Sequence, residues 1–183
     1  NLSKHGLMIV PYEGNTSFGA DGDYVAHYPE AAMSYREIKR HSARDADAMV
    51  RYESDLMRYA KLIRFFLLRT PADPTSFKPR DIKEMIYMGK KFLDLGEEQI
   101  YEFMRFLTMS AADFLNEYFE NDLVKASLAT SSIIGTALGV YSPGTAYVLL
   151  HHVMGDVDGT VGAWGLARGG MGAISNAIAA SLA

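Results

Sequence analysis

The sequence predicts an α+β domain, mostly helical, with a small N-terminal antiparallel sheet. Three observations carry this expectation. Apolar residues recur at helical spacing through most of the chain between residues 34 and 134. Asp21-Gly22 separates two strand-like runs near the start, which is a hairpin signal. About half of the 183 residues (49%) are apolar, enough for one domain with a sizeable core.

The strands come first. Residues 6–10 form a short β-rich run stopped by Pro11. Residues 16–20 and 23–28 flank Asp21-Gly22, and both turn residues accept positive φ, which suits a two-residue turn. Two or three strands cannot stand alone, so they are expected to pack on helices or join a sheet from elsewhere.

The helices follow. Ser34 opens a short one to about residue 40. Ser42 and Asp45 have capping-box spacing. A long helix then runs to Arg69, where Thr70-Pro71 ends it, because the residue before proline leaves the α region. Its expected buried face holds Ala46, Met49, Val50, Met57, Ala60, Ile63 and Leu67, interrupted by Glu53. From Leu62 to Leu68 it is apolar nearly all round except Arg64, so its end is expected to be buried.

A loop with three prolines leads to a helix over residues 80–95, striped by Ile82, Met85, Ile86, Gly89 and Phe92-Leu93. Residues 97–109 repeat the pattern with Ile100, Phe103, Met104 and Leu107. Ser110 with Asp113 caps a helix to about residue 119, and another spans 122–134. The ten methionines mostly sit at helical spacing among aliphatics and read as core, with a greasy adaptable pocket lining as the alternative.

Composition removes several functions. A net charge of −4 offers no basic face for nucleic acid. The absence of cysteine excludes disulfides, thiol catalysis and Cys-ligated metal centres, and sets the expectation of an intracellular, cytoplasmic location. Between Lys125 and Asp156 there is no Asp, Glu, Lys or Arg. Serines, threonines, glycines and Pro143 break that stretch, so it reads as a wall of small residues lining a core or pocket, not as a bilayer span.

Candidate chemistry is sparse. His151-His152 with Asp156 and Asp158 suggests a metal, but adjacent histidines on a helix point about 100° apart and rarely chelate together. One is expected to pack and the other to be solvated. Asp156 to Gly159 begins like a calcium loop, yet Val161 holds the place of the loop glycine and Ala167 that of the closing glutamate. Gly170-Met171-Gly172 is not a dinucleotide fingerprint, since Ser175 stands at the third glycine position. No nucleophile elbow is present. Glu97-Glu98 and Asp21/Asp23 read as caps, turns or solvated faces, and no catalytic residue is identified.

Seven glycines fall between Gly155 and Gly172. Glycine at that density marks positive φ or close approach. Gly169-Gly170-Met171-Gly172 opens the last helix, and free N–H groups there favour an electron-rich group. A plain tight turn that docks the helix is an equally open reading.

Ser142-Pro143-Gly144-Thr145-Ala146, the apolar helix with His151-His152, and the run from Trp164 through Gly169-Gly170-Met171-Gly172 to Ile174 together carry a resemblance. So do His5-Gly6-Leu7, Asp21-Gly22 and the helix start at residues 42–47. They resemble the substrate domain of phytoene-dehydrogenase-like FAD-dependent oxidoreductases. The resemblance covers most of the chain, and its glycine-methionine segment is the most specific part.

In that family a FAD domain is interrupted by a substrate domain. The resemblance therefore implies that this chain is the inserted domain of a two-domain flavoprotein. Residues 1–160 would form a helical cap, and residues 161–183 would re-enter the FAD domain. The chain lacks an opening methionine and stops inside a helical pattern, which also suggests a piece of a longer protein.

By the same implication Gly169, Gly170, Met171 and Gly172 contact FAD, and Trp164, Tyr147 and His151 contact the substrate. The reaction implied is dehydrogenation or desaturation of an apolar substrate. The family's glycine-rich fingerprint and later FAD-contacting segment are missing, so FAD is expected in the full-length parent but not on this chain alone. Implied partners are the missing FAD domain and an apolar small molecule; peripheral membrane contact is a further reading, since apolar substrates often reside in lipid. No nucleic acid is expected. The alternative is a non-enzymatic helical module that binds a hydrophobic ligand or a protein.

Overall fold

The computed structural model describes residues 2–67, 69–157 and 159–182. Its helices are α1 (Ala31–His41), α2 (Ala43–Leu67), α3 (Pro79–Leu93), α4 (Glu97–Thr108), α5 (Ala111–Asn116), α6 (Asp122–Ala129), α7 (Thr145–Val153) and α8 (Met171–Ala180). The strands are β1 (Ile9–Pro11), β2 (Asn15–Phe18), β3 (Tyr24–His27), β4 (Asp156–Val157), β5 (Thr160–Val161) and β6 (Gly165–Ala167). They pair as three separate antiparallel ribbons, β1–β6, β2–β3 and β4–β5. The fold is α+β and dominated by helices.

Helix α2 is the axis. Ser42 caps it: the Ser42 Oγ accepts the Asp45 N–H at 3.1 Å. Its buried residues are Asp45, Ala46, Met49, Tyr52, Leu56, Tyr59, Ala60 and Ile63. Tyr52 meets Phe114, Tyr118 and Phe119 at centroid distances of 5.9, 5.5 and 5.1 Å. Tyr59 stacks on Phe106 at 4.6 Å. Each such pair adds about 0.5–1.5 kcal/mol beyond area burial. These rings bring α4 and α5 onto α2, while α1 and α7 pack on it directly.

This face differs from the expected one. Val50 is 69% exposed, because Tyr52 and Tyr59 draw the buried face round the helix and away from it. Leu67 lies on the correct side but is 55% exposed, because α2 outruns the body. The expectation that the end of α2 is buried fails for the same reason: beyond Ile63 no described residue of α2 is fully buried. Leu68 lies outside the described residues. Helix α3 buries only Asp81 among its side chains, so its apolar stripe is not core. Of the ten methionines, Met49 and Met154 are buried.

The ribbons also correct the expectation. The β2–β3 hairpin pairs Asn15 with His27 and Phe18 with Tyr24, and residues 19–23 form a five-residue loop, not a two-residue turn. Gly19 N–H donates to the Asp23 carbonyl at 2.7 Å, and the Asp21 carboxylate accepts the Asp23 N–H at 3.1 Å. Strand β1 lies outside this hairpin and pairs with β6, from Ile9↔Ala167 to Pro11↔Gly165. Gly165 permits this approach, since a Cβ there would sit 2.3 Å from Ile9 Cγ2. Helix α8 packs on β6 and on the 3-10 turn Leu2–His5, so residues from both ends of the chain share one corner.

The Ser142-Pro143-Gly144-Thr145 segment is a structural joint. Thr145 is fully buried, its Oγ1 accepting the Ala111 N–H and donating to the Ser142 carbonyl, both at 2.8 Å. Gly144 N–H donates to the Met109 carbonyl at 2.8 Å. The start of α7 is thereby pinned to the α4–α5 junction.

Candidate functional site

A cavity of about 520 Å³ lies between α2, the β2–β3 hairpin, α6, α7 and the segment before β6. That is large enough for a drug-sized ligand. Met49, Leu56, Leu128, Leu149 and Val153 give it apolar walls, and Tyr12, Tyr28 and Trp164 add aromatic ones. The uncharged stretch between Lys125 and Asp156 supplies its α6 and α7 sides through Ser127, Leu128, Ser131, Leu149 and Val153. A wider hollow of about 680 Å³ lies between α2 and the end of α3, but Arg58, Lys61 and Lys91 line it. It is the less suited to an apolar ligand.

His27 and Glu53 line the first cavity, together with the phenols of Tyr12, Tyr28 and Tyr52. His27 Nε2 lies 2.9 Å from Ser127 Oγ. Ser127 spends its one hydrogen on the Val124 carbonyl at 2.8 Å, so the imidazole must donate from Nε2. Burial lowers the His27 pKa and keeps the ring neutral near pH 7. Glu53 reaches water through the cavity and has no hydrogen-bond or ion-pair partner among the described residues. The surrounding apolar walls still raise its pKa by desolvation. Burial is also the main cause of the raised pKa of Tyr52, with the nearby Glu53 charge adding to it.

The residues singled out from sequence fall in three places. Trp164 lines the cavity at its rim. Its ring stacks on His152 at 5.9 Å and 16°, and its carbonyl accepts the Tyr12 N–H at 2.9 Å. Tyr147 is partly buried against the core, with its ring 6.1 Å from the exposed His151, and neither lines this cavity. His152 donates Nδ1–H to the Val148 carbonyl at 2.8 Å. One histidine packs and the other faces solvent, as expected for adjacent helical positions. No group of three or more His, Asp or Glu placed to hold a metal occurs among the described residues; Asp158, one of the candidate ligands, lies outside them.

Gly169, Gly170, Met171 and Gly172 lie on the shared corner, do not themselves line the cavity and are all exposed, Met171 at 79%. Gly170 has φ +77° and is the N-cap of α8, with no side-chain cap. A Cβ built on Gly170 or Gly172 meets nothing within 4 Å. The glycines leave the turn open, and Met171 is the exposed side chain it carries.

No family model matches the chain, and no solved structure matches it. Curated proteins do. The chain is 38% identical over 160 residues to a protein of Mus musculus, covering 84% of this chain and 28% of that one. A Rattus norvegicus protein is 35% identical over 197 residues, covering 98% of this chain and 33% of its own length. The chain is similar to pyridine nucleotide-disulfide oxidoreductase domain-containing protein 2. It spans about a third of the length of these curated relatives. Because the rat domain-containing protein 2 aligns across nearly the whole chain, the cavity and the glycine turn lie within its span of similarity.

Sequence reasoning missed His27, Tyr12 and Tyr28 as cavity residues. They come from the hairpin and its flanks, whose docking on α6 no local pattern announces. Glu53 did leave a signal, as the one acid breaking the expected apolar face of α2.

Proposed function

We propose that this chain is the substrate-binding part of a FAD-dependent oxidoreductase that oxidises an apolar substrate. The similarity to oxidoreductase-domain relatives three times its length is the observation that carries the reading. The cavity beside Trp164 supplies room and apolar walls for such a substrate.

The residues present fit one edge of a flavin and no more. Gly169, Gly170 and Gly172 offer a face on which a flat ring can lie, and the uncapped α8 start favours an electron-rich group. No Gly-x-Gly-x-x-Gly is available for the pyrophosphate. When bound, the flavin would accept a hydride from the substrate. The protein's part is to hold the substrate and exclude water, with a neutral His27 and an unpaired Glu53 among the polar groups of the cavity.

The test is direct. Full-length protein should purify yellow with stoichiometric flavin, and this chain alone should be colourless. A colourless full-length protein that neither takes up added FAD nor shows flavin-dependent turnover would sink the reading.

Glu53 gives a second expectation. Its folded pKa is raised, so the folded state binds the proton more readily than the unfolded one. Stability falls as pH rises from the usual carboxylate value through the raised one. Glu53→Gln should therefore raise the thermal midpoint at pH 7 and leave it unchanged well below pH 4. A variant less stable than wild type at pH 7 would show that the carboxylate has a partner.

A further inference from the structure

We propose that α3 docks the protein on an anionic membrane surface through its outward apolar stripe. At 3.6 residues per turn, Ile82, Ile86, Gly89 and Leu93 fall within about 60° of one another on the helix. Ile82 is 38% exposed, Ile86 68% and Leu93 77%, and Phe77 just before the helix is 92% exposed.

The opposite face is already taken. Tyr87 meets Phe65 at 5.9 Å, Phe92 stacks on Phe66 at 4.9 Å, and Glu84 forms a short charged pair with Arg69. Helix α3 leans on the end of α2 with those side chains and turns its isoleucines away. A stripe of this kind on a water-facing helix needs a cover.

Charge selects the cover. Residues 61–94 hold eight Lys and Arg against four Asp and Glu, a net of +4 in a chain whose total is −4. Lys83 and Lys90 flank the stripe on one side. They, Lys78 and Lys91 have no ion-pair partner among the described residues. An apolar stripe bordered by free lysines is the pattern of a helix lying in a lipid interface. Among the described residues no helix is long and apolar enough to cross a membrane. The contact is therefore a surface one, and it does not rest on the flavin reading.

Vesicle flotation of full-length protein tests this. It should float with phosphatidylcholine vesicles that contain phosphatidylserine, poorly with phosphatidylcholine alone, and less as salt is raised. Lys83→Gln and Lys90→Gln should each weaken partition about fivefold. Ile86→Ser with Leu93→Ser should abolish it without lowering the thermal midpoint, since both side chains are exposed. Absence of flotation, or flotation indifferent to all of these changes, overturns the proposal. So does a dimer in solution that the serine pair dissociates, because the stripe would then be an interface between copies.

Discussion

Asp45→Ala should destabilise the protein by about 3 kcal/mol, lowering the thermal midpoint by about 6–12 °C for a chain of this size. Asp45 is fully buried. Its two carboxylate oxygens accept the backbone N–H groups of Glu120 and Asn121, each at 2.9 Å. Alanine leaves both part-buried donors without their partner, and an orphaned buried donor costs about 1–3 kcal/mol. Ser42→Ala removes only the cap on the Asp45 N–H and a contact with the exposed Glu120, and should cost about 1 kcal/mol. The contrast is the measurement: chemical denaturation of both variants, with Asp45→Ala clearly the worse. Equal, small losses would show that water takes over the two donors.

The consequence reaches the cavity. Asn121 caps α6, its Oδ1 accepting the N–H groups of Leu123 and Val124 at 3.0 and 3.1 Å. Helix α6 then presents Ser127 and Leu128 to the cavity and places Ser127 Oγ against His27. Asp45 thus ties the first turn of α2 to the element that forms one cavity wall. Loosening it should blur the pocket as well as the core.

What the sequence made legible follows from the range of each signal. Caps are local, and the serine halves of both expected capping boxes appear, Ser42 Oγ and Ser110 Oγ accepting the Asp45 and Asp113 N–H groups, but Asp45 turns its carboxylate to Glu120 and Asn121 and not to the Ser42 N–H. Helical stripes are local too, so α1, α2, α3 and α4 sit close to where periodicity puts them. Partners across long separations leave no such trace. Nothing in Ile9–Pro11 points to Gly165–Ala167. The tyrosines of α2 misled the face because their polar tips hide a large apolar body.

Helix α3 shows the converse limit. Its pattern reads as core, yet amphipathicity reports only that a face wants cover, not what covers it. The site divides the same way. Trp164, singled out only through the resemblance, does line the cavity, whereas His27 and Glu53 come together there only because the hairpin closes over α2 and α6.

The glycine turn is best probed at Gly172. Valine at Gly170 would strain the fold itself, since φ there is +77° and a β-branched residue resists that region. Any loss of flavin would then have two causes. Gly172 has no such restriction, and a side chain built on it meets nothing within 4 Å. It also lies inside α8, where replacing glycine by a residue with a side chain is neutral or slightly favourable. Gly172→Val in this chain should therefore leave the thermal midpoint unchanged or slightly higher. In the full-length protein the same change should cut flavin retention or turnover at least about tenfold, because displacing a reacting ring by about 1 Å already costs up to a hundredfold. Space that is empty in one and filled in the other is what a ring against the turn would produce. Full retention of flavin and rate in Gly172→Val would place the ring elsewhere, and Gly169 to Gly172 would then be only the bend that docks α8 on β6.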